Sequence, residues 1–590
     1  MQNDPYQPQR WTLEDLLPKP GTPEQEQYLA EVEARLQAFE LLRERLVPEI
    51  AQTDFLDALQ HYNDLYADIS RLTAYSYLWF SEDTVSQDAL AFRAKIEQFA
   101  ADAQNRTLFF TLWWKSLDDE AAAPLLKVSG DWRYFLESLR RFKPHTLTEP
   151  EERVINIKDV NGVSAILTLY DMITTRFTYH LTIAGEEQEL TRGQLATYVH
   201  SPDPDLRAAS YQELYRLYGD DADILAQIYA TRVRDWRAEN VKLRGFSSPV
   251  SVRNLDNDIP DAVVETLLNV TRENVGLFQR YFRFKAQALG MDRLRRYDIY
   301  APLSEADKTY TFDEAVRLVD ASYRAFSPRL ADLALQIIAE QHLDAEVRPR
   351  KMDGAYCYGV LPGVTPWVLV NYTGKINDVS TLAHELGHGV HALLAAKHSP
   401  LTFHSALPMA ETASIFGEML LTDKLLAEET DVQVRRTLLN TFISGAYATI
   451  TRQAYFVLFE QQAHAMIAEG AVPDDLYAVY LKNLREQFGD AVEVSNDFRL
   501  EWLAIPHIYQ TPFYCYAYAF GQLLVLALYR KYQAIGREAF EPQYLRLLAY
   551  GGSASPEHIL TEAGFDMSDP AFWQGGFDLL AEMLEELEKL

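Results

Sequence analysis

The sequence predicts a mainly α protein. Glycine is scarce, 26 of 590 residues, against a usual share of about 7%. Apolar residues recur every third or fourth position among charges over most of the chain, the period of amphipathic helices. Only two short stretches break that period with β-like alternation.

Taken in order, residues from Pro23 to about Val128 are helical, beginning with PEQEQYLAEVEARLQAFELLRERL. Pro20 and Thr22 punctuate the start of the first helix and Pro48 stops it. Tyr62, Tyr66, Tyr75, Tyr77, Trp79 and Phe80 fall in helical text and are expected to pack a core. RFTYHLTIAGEEQELT, residues 176–191, alternates around a glycine and predicts a small hairpin. HSPDPD near His200 is a loop. A soft boundary at 195–205 separates an N-terminal helical lobe, residues 1–200, from a second region, 201–590. In AYCYGVLPGVTPWVLVNYTG, residues 355–374, two β-rich runs flank Leu361-Pro362-Gly363 and predict a two-strand ribbon. The helix after it takes Asn377 or Asp378 as its cap. Phe513 to Tyr529 carries no charge but falls short of the ~20 residues a membrane span needs, so it is read as a buried helix.

Composition narrows the function. Hydrophobic residues at 48% and charged residues at 24% describe a folded chain. Fifty-five basic against 85 acidic residues leave a net charge of −30, a field that repels phosphate backbones, so no nucleic acid partner is expected. No basic amphipathic stretch marks a membrane surface. Cys357 and Cys515 cannot make a disulfide framework, and their scarcity fits a reducing compartment. MQNDPYQPQRWTLEDLLP lacks a basic start followed by an apolar run, so no signal peptide is expected and the protein is placed in the cytoplasm.

The chemistry is concentrated in TLAHELGHGVH, residues 381–391. His384 and His388 are four apart, so on a helix both imidazoles project from one face and can reach one metal at about 2.0–2.1 Å. Glu385 lies one step round, near the metal but free to accept a proton from water. A coincidental pair on an amphipathic helix is the bland alternative, and context must decide. A third histidine of the extended metzincin pattern is absent, since His391 and Leu394 stand where a glycine and a histidine would be required. No acidic residue occurs between Gly389 and Ala410. Glu411, opening the helical run ETASIFGEMLLTDKLL, is therefore the candidate third ligand, or else a helix-start carboxylate. Glu418, two turns on, can orient a ligand histidine. His391 is read as supporting or packing, and His398 and His404 as residues of the connecting loop, with His404 a candidate substrate contact. A ribbon strand carrying Tyr358 and Gly359 can take a peptide as an added strand, or simply brace the helix.

LAHELGHGVH, followed by AETASIFGE and preceded by VLVNYTG, resembles the oligoendopeptidase F branch of the thimet oligopeptidase family of zinc metallopeptidases. IPHIYQTPFYCYAYAFG, residues 505–521, resembles the family's late His-and-Tyr segment. RRFKPHTLTEPEERVINIKDVNG, residues 140–162, resembles the branch's amino-terminal region. The resemblance implies two helical lobes flanking a deep substrate channel, one Zn2+ per chain held by His384, His388 and Glu411, and Glu385 as general base. In the late segment it implies that His507 binds substrate or intermediate. Tyr516 is then the first choice to steady the oxyanion, followed by Tyr514 and Tyr509. The substrates implied are short, unstructured peptides cut internally.

Two other readings compete. A carboxypeptidase or dipeptidyl carboxypeptidase would use the same metal site with a cationic clamp, for which Arg348 and Arg350 are candidates. A structural zinc in a helical scaffold would close with four ligands, usually including Cys, and would leave Glu385 without purpose.

Overall fold

Thr22 opens the first long helix, Pro23–Glu40. Its side chain accepts a hydrogen bond from the Gln25 N–H, and Pro23 occupies the first helical position, where a missing N–H costs nothing. The computed structural model describes residues 5–303 and 308–590, and helices dominate them, with only short strands between. The mainly α expectation holds. The chain gathers into two compact units, each built from three stretches: Met1–Thr146, Lys308–Glu428 and Lys531–Phe565 in the first, and Leu147–Asp307, Glu429–Arg530 and Asp566–Leu590 in the second. Residues on both sides of position 200 thus fall in one unit, so the compact units do not follow the sequence boundary at 195–205.

In the first unit, the helix Gln52–Glu82 joins two apolar cores. Its N-terminal half contributes Phe55, Leu59 and Leu65 to a cluster with Phe39, Phe110 and Trp114 of the neighbouring helices. Phe55 stacks on Trp114 at 5.5 Å, and the buried indole N–H finds the Leu136 carbonyl at 2.8 Å, as a buried Trp requires. The C-terminal half places Leu72 and Leu78 against Trp11, Leu16, Trp367 and Leu369. The predicted ribbon is present as antiparallel strands Tyr356–Tyr358 and Trp367–Leu369, with Tyr358 opposite Trp367. A third strand, Leu343–Asp344, pairs in parallel with Trp367–Leu369 and makes that strand central. Two residues are too short to show a period, which is why the sequence concealed it.

In the second unit, the predicted hairpin spans Tyr179–Ile183 and Glu186–Leu190. Ala184 and Gly185 both take positive φ, 52° and 88°, the backbone that matches the twist of a two-residue hairpin loop. Tyr179, Leu181 and Leu190 are buried with Leu195 beneath it. The helices Ala222–Trp236 and Arg452–Ala468 pack aromatic faces together, Tyr229 against Phe459 and Trp502. The charge-free run 513–529 becomes most of the helix Tyr516–Ile535, buried at almost every position to Tyr529. Among the described residues no helix is long and apolar enough to cross a membrane.

Candidate metal centre

The motif helix runs from Ile376 to Leu394. Its cap therefore falls at Lys375, two residues before Asn377 and three before Asp378, the expected caps. Lys375 takes the capping backbone conformation, and Asp378 sits in the first turn. There its carboxylate accepts from Thr373 N, Thr373 Oγ1 and Lys375 N at 2.7, 2.6 and 3.1 Å, satisfying donors no helical carbonyl can reach. The glycines of the motif are packing residues. A Cβ on Gly387 would lie 2.6 Å from the Ala413 carbonyl oxygen, and one on Gly389 would lie 2.3 Å from Ile337. The motif helix thus lies almost backbone to backbone against the helix Thr412–Glu428. Tyr323 adds a tie, its hydroxyl donating to Ala383 O at 2.5 Å.

That close crossing brings Glu411 to the two histidines. His384 Nε2 lies 3.1 Å from His388 Nε2, and Glu411 Oε2 lies 3.3 and 3.4 Å from those two nitrogens. Three ligand atoms of a tetrahedral ion at about 2.0–2.1 Å stand about 3.3 Å apart. The triangle therefore has the edge length that one zinc needs, with a fourth position left for water or substrate. Among the described residues this is the one His, Cys, Asp and Glu group able to hold a metal. Neither cysteine belongs to it, which counts against a closed structural site. Glu418 Oε1 is 2.5 Å from His384 Nδ1, so the other ring nitrogen is left facing the triangle. Burial opposes a charge on His384, but the hydrogen bond and charge of Glu418 outweigh it and raise the imidazole to about 9. Burial lowers His388 to about 4 despite Glu411, and lowers His391 to about 4.

Glu385 is buried, 6% exposed. Burial raises its carboxyl to about 7, reinforced by Glu411 and Glu418 and opposed by His384 and the Cys357 N–H. A carboxyl poised near neutrality can both take and return a proton. The Cys357 amide belongs to the edge strand Tyr356–Tyr358, so the ribbon helps hold this side chain in place.

His384, Glu385, His388 and Glu411 line a cavity of about 1130 Å³ within the first unit. Tyr358, Gly359 and His404, the candidate substrate contacts, border it, and so does His391, read from sequence as a supporting or packing residue and itself largely buried. The helix Gln52–Glu82 also contributes to the lining, which the sequence did not reveal. Tyr62, Tyr66 and Ile69 border the cavity, and Tyr66 is 40% exposed, so this ring is not the core residue its helix suggested. Tyr66 sits four residues after Tyr62, on the same helix face. Arg348 and Arg350 do not border the cavity. Arg348 pairs with buried Asp344 through two 2.7 Å contacts, and Arg350 with Asp83 at 3.0 Å. Among the described residues no lysine or arginine lines the cavity.

The late segment folds within the second unit. His507 is exposed on the short helix Pro506–Gln510. Its ring lies 6.1 Å from those of Tyr514 and Tyr518, which are 5.2 Å from each other. Tyr518 was missed, although its spacing of four from Tyr514 is the same-face signal. Tyr516, the first choice from sequence, points the other way. It is fully buried, and its hydroxyl accepts a hydrogen bond from Asn257 at 2.8 Å. Tyr509 is also buried, stacked on Tyr170 at 4.1 Å.

Known proteins match this chain over most of its length. The profile of peptidase family M3 matches residues 197–579, and that of oligopeptidase F matches residues 113–179. Group B oligopeptidase PepB of Streptococcus agalactiae is 28% identical over 558 residues, 91% of either chain. Oligopeptidase PepF of Bacillus subtilis is 25% identical over 600 residues, covering 98% of this chain and 87% of that protein. A solved Chlamydophila abortus structure shares 26% identity at a TM-score of 0.86, covering 98% of each chain. Oligoendopeptidase-F of Enterococcus faecium has the same fold, at a TM-score of 0.72 and 23% identity over 96% of this chain and 98% of that one.

Proposed function

The chain belongs to peptidase family M3, and on that premise we propose that it is a zinc endopeptidase of short, unstructured peptides. The observation that carries the metal assignment is the 3.1–3.4 Å triangle of His384, His388 and Glu411. Imidazole nitrogens with one carboxylate suit zinc. Bound there, zinc supplies Lewis-acid polarisation of a carbonyl and eases deprotonation of water.

The remaining work falls to the chain's own groups. Glu385, buried beside the cavity, takes a proton from the attacking water and returns it to the leaving amine. Glu418 holds His384 in one tautomer by accepting from Nδ1. The edge strand at Tyr356–Tyr358 receives the peptide as an added strand, reading backbone more than side chains. His507 and Tyr514, with Tyr518, serve as neutral donors to the oxyanion. Tyr516 and Tyr509 support that face from the interior.

Internal cleavage is preferred over carboxypeptidase action because the two candidate clamps are already engaged, Arg348 by Asp344 and Arg350 by Asp83. A ladder of peptides blocked at both ends, incubated with and without a zinc chelator and read by mass spectrometry, tests the proposal. Chelator-sensitive internal cuts that fade as peptides lengthen or fold are expected. Trimming seen only when the carboxyl end is free would replace the endopeptidase reading with the exopeptidase one.

A further inference from the structure

Phe513 stands where a phenylalanine is costly. The Tyr514 N–H bonds to Thr511 O at 3.2 Å, closing a Thr511-Pro512-Phe513-Tyr514 turn with proline second and a positive φ third. That third position normally takes glycine or asparagine. Phe513 has φ 60°, and among the described non-glycine residues with positive φ it is the one that is buried, at 1% exposure. Such a residue persists only when its surroundings over-determine it, and strain of this kind gathers at functional sites.

The surroundings are specific. Phe513 N–H donates to Glu460 Oε1 at 2.8 Å. Glu460 is wholly buried on the helix Arg452–Ala468, and one turn on, His464 sets its ring 4.6 Å from that of Phe513. Among the described residues Glu460 Oε2 and both His464 ring nitrogens have no hydrogen-bond partner. Burying an acid and an imidazole with atoms unpaired is expensive, and stability alone would favour apolar residues there. What the turn gains is direction. It joins the helix carrying His507 to the helix that starts at Tyr516, and it decides that Tyr514 and Tyr518 meet His507 while Tyr516 faces inward.

We propose that Glu460 is a positioning residue: by accepting from the Phe513 N–H it clamps the Thr511–Tyr514 turn, and so fixes Tyr514 beside His507. Its functional consequence rests on the reading that these two side chains serve the peptidase reaction. Glu460 never touches substrate. It acts through the turn, so its loss should reach kcat rather than KM, because a misdirected donor weakens the transition state more than ground-state binding.

The test uses the zinc-loaded full chain with two variants and two readouts. Glu460→Gln keeps a carbonyl acceptor, whereas Glu460→Met removes it with a side chain of similar volume and leaves no buried charge to unfold the protein. Hydrogen–deuterium exchange over residues 511–518 reports the turn independently of catalysis. Glu460→Met is expected to accelerate exchange there while leaving the motif helix as in wild type. It should lower kcat about 10–100-fold with KM within about threefold, and Glu460→Gln should restore both. Unchanged exchange at 511–518 in the methionine variant would overturn the clamp, even if the wild-type chain cleaved no peptide and the proposed function fell with it. Faster exchange with wild-type kcat would overturn the positioning role, and so would a glutamine variant as impaired as the methionine one.

Discussion

His384 Nδ1 and Glu418 Oε1 lie 2.5 Å apart, across the crossing of two helices that pack through glycine. The pair fixes both the tautomer and the aim of a candidate metal ligand. Replacing Glu418 by Gln or Ala should weaken zinc binding about 10–100-fold, measured by titration against a competing chelator. Unaltered affinity would reduce Glu418 to a packing residue.

Substitution of Glu385 offers a test that separates chemistry from metal binding. Glu385 borders the cavity and lies beside the triangle without belonging to it. Glu385→Gln should therefore retain full zinc content and thermal stability while kcat falls about 10²–10⁴-fold, the usual scale of general acid–base catalysis. A variant that still turns over at the wild-type rate would remove Glu385 from the mechanism.

Gly387 tests the helix crossing. An added methyl would meet backbone atoms of Ala413 and Ser414 at 2.6 Å, and backbone yields less readily than a side-chain tip. Gly387→Ala should cost about 1–3 kcal/mol through overpacking and should also lower zinc affinity, because Glu411 sits just before the displaced segment. Thermal melting and metal analysis of one preparation would show whether the two losses travel together.

Glu460 gives a pH signature. Burial drives its carboxyl from the ordinary 4.5 up to about 8, against the Phe513 N–H bond and the charge of Arg253. A folded-state value above the unfolded one means that the folded protein holds the proton more tightly. The stability from this group is then fully present below about 4.5 and is lost as pH rises through about 8. Melting temperatures of wild type and Glu460→Gln, compared from pH 5 to 9, should show the wild type losing ground to the variant as pH rises. A constant difference would mean that Glu460 titrates normally.

Much of this was legible in one dimension. Helical period alone puts His384 and His388 on one face, a turn apart, with Glu385 beside them, because the backbone fixes that geometry wherever the helix lies. An acid-free stretch pointed to Glu411, and alternation around turn residues gave both the hairpin and the ribbon. What only the tertiary structure decided is which side of each element turns inward. Tyr514, Tyr516 and Tyr518 are alternate letters, yet Tyr516 and Tyr518, two apart on one helix, face nearly opposite ways, and Tyr514 belongs to the turn before it. Packing against Asn257 took Tyr516 into the interior and left Tyr514 and Tyr518 beside His507. The same choice set Tyr66 on a cavity wall rather than in a core and joined Glu418 to His384 across thirty-four residues. Periodicity relates side chains within one element. The partners that bury one face and expose the other come from distant stretches, and each compact unit here is built from three of them.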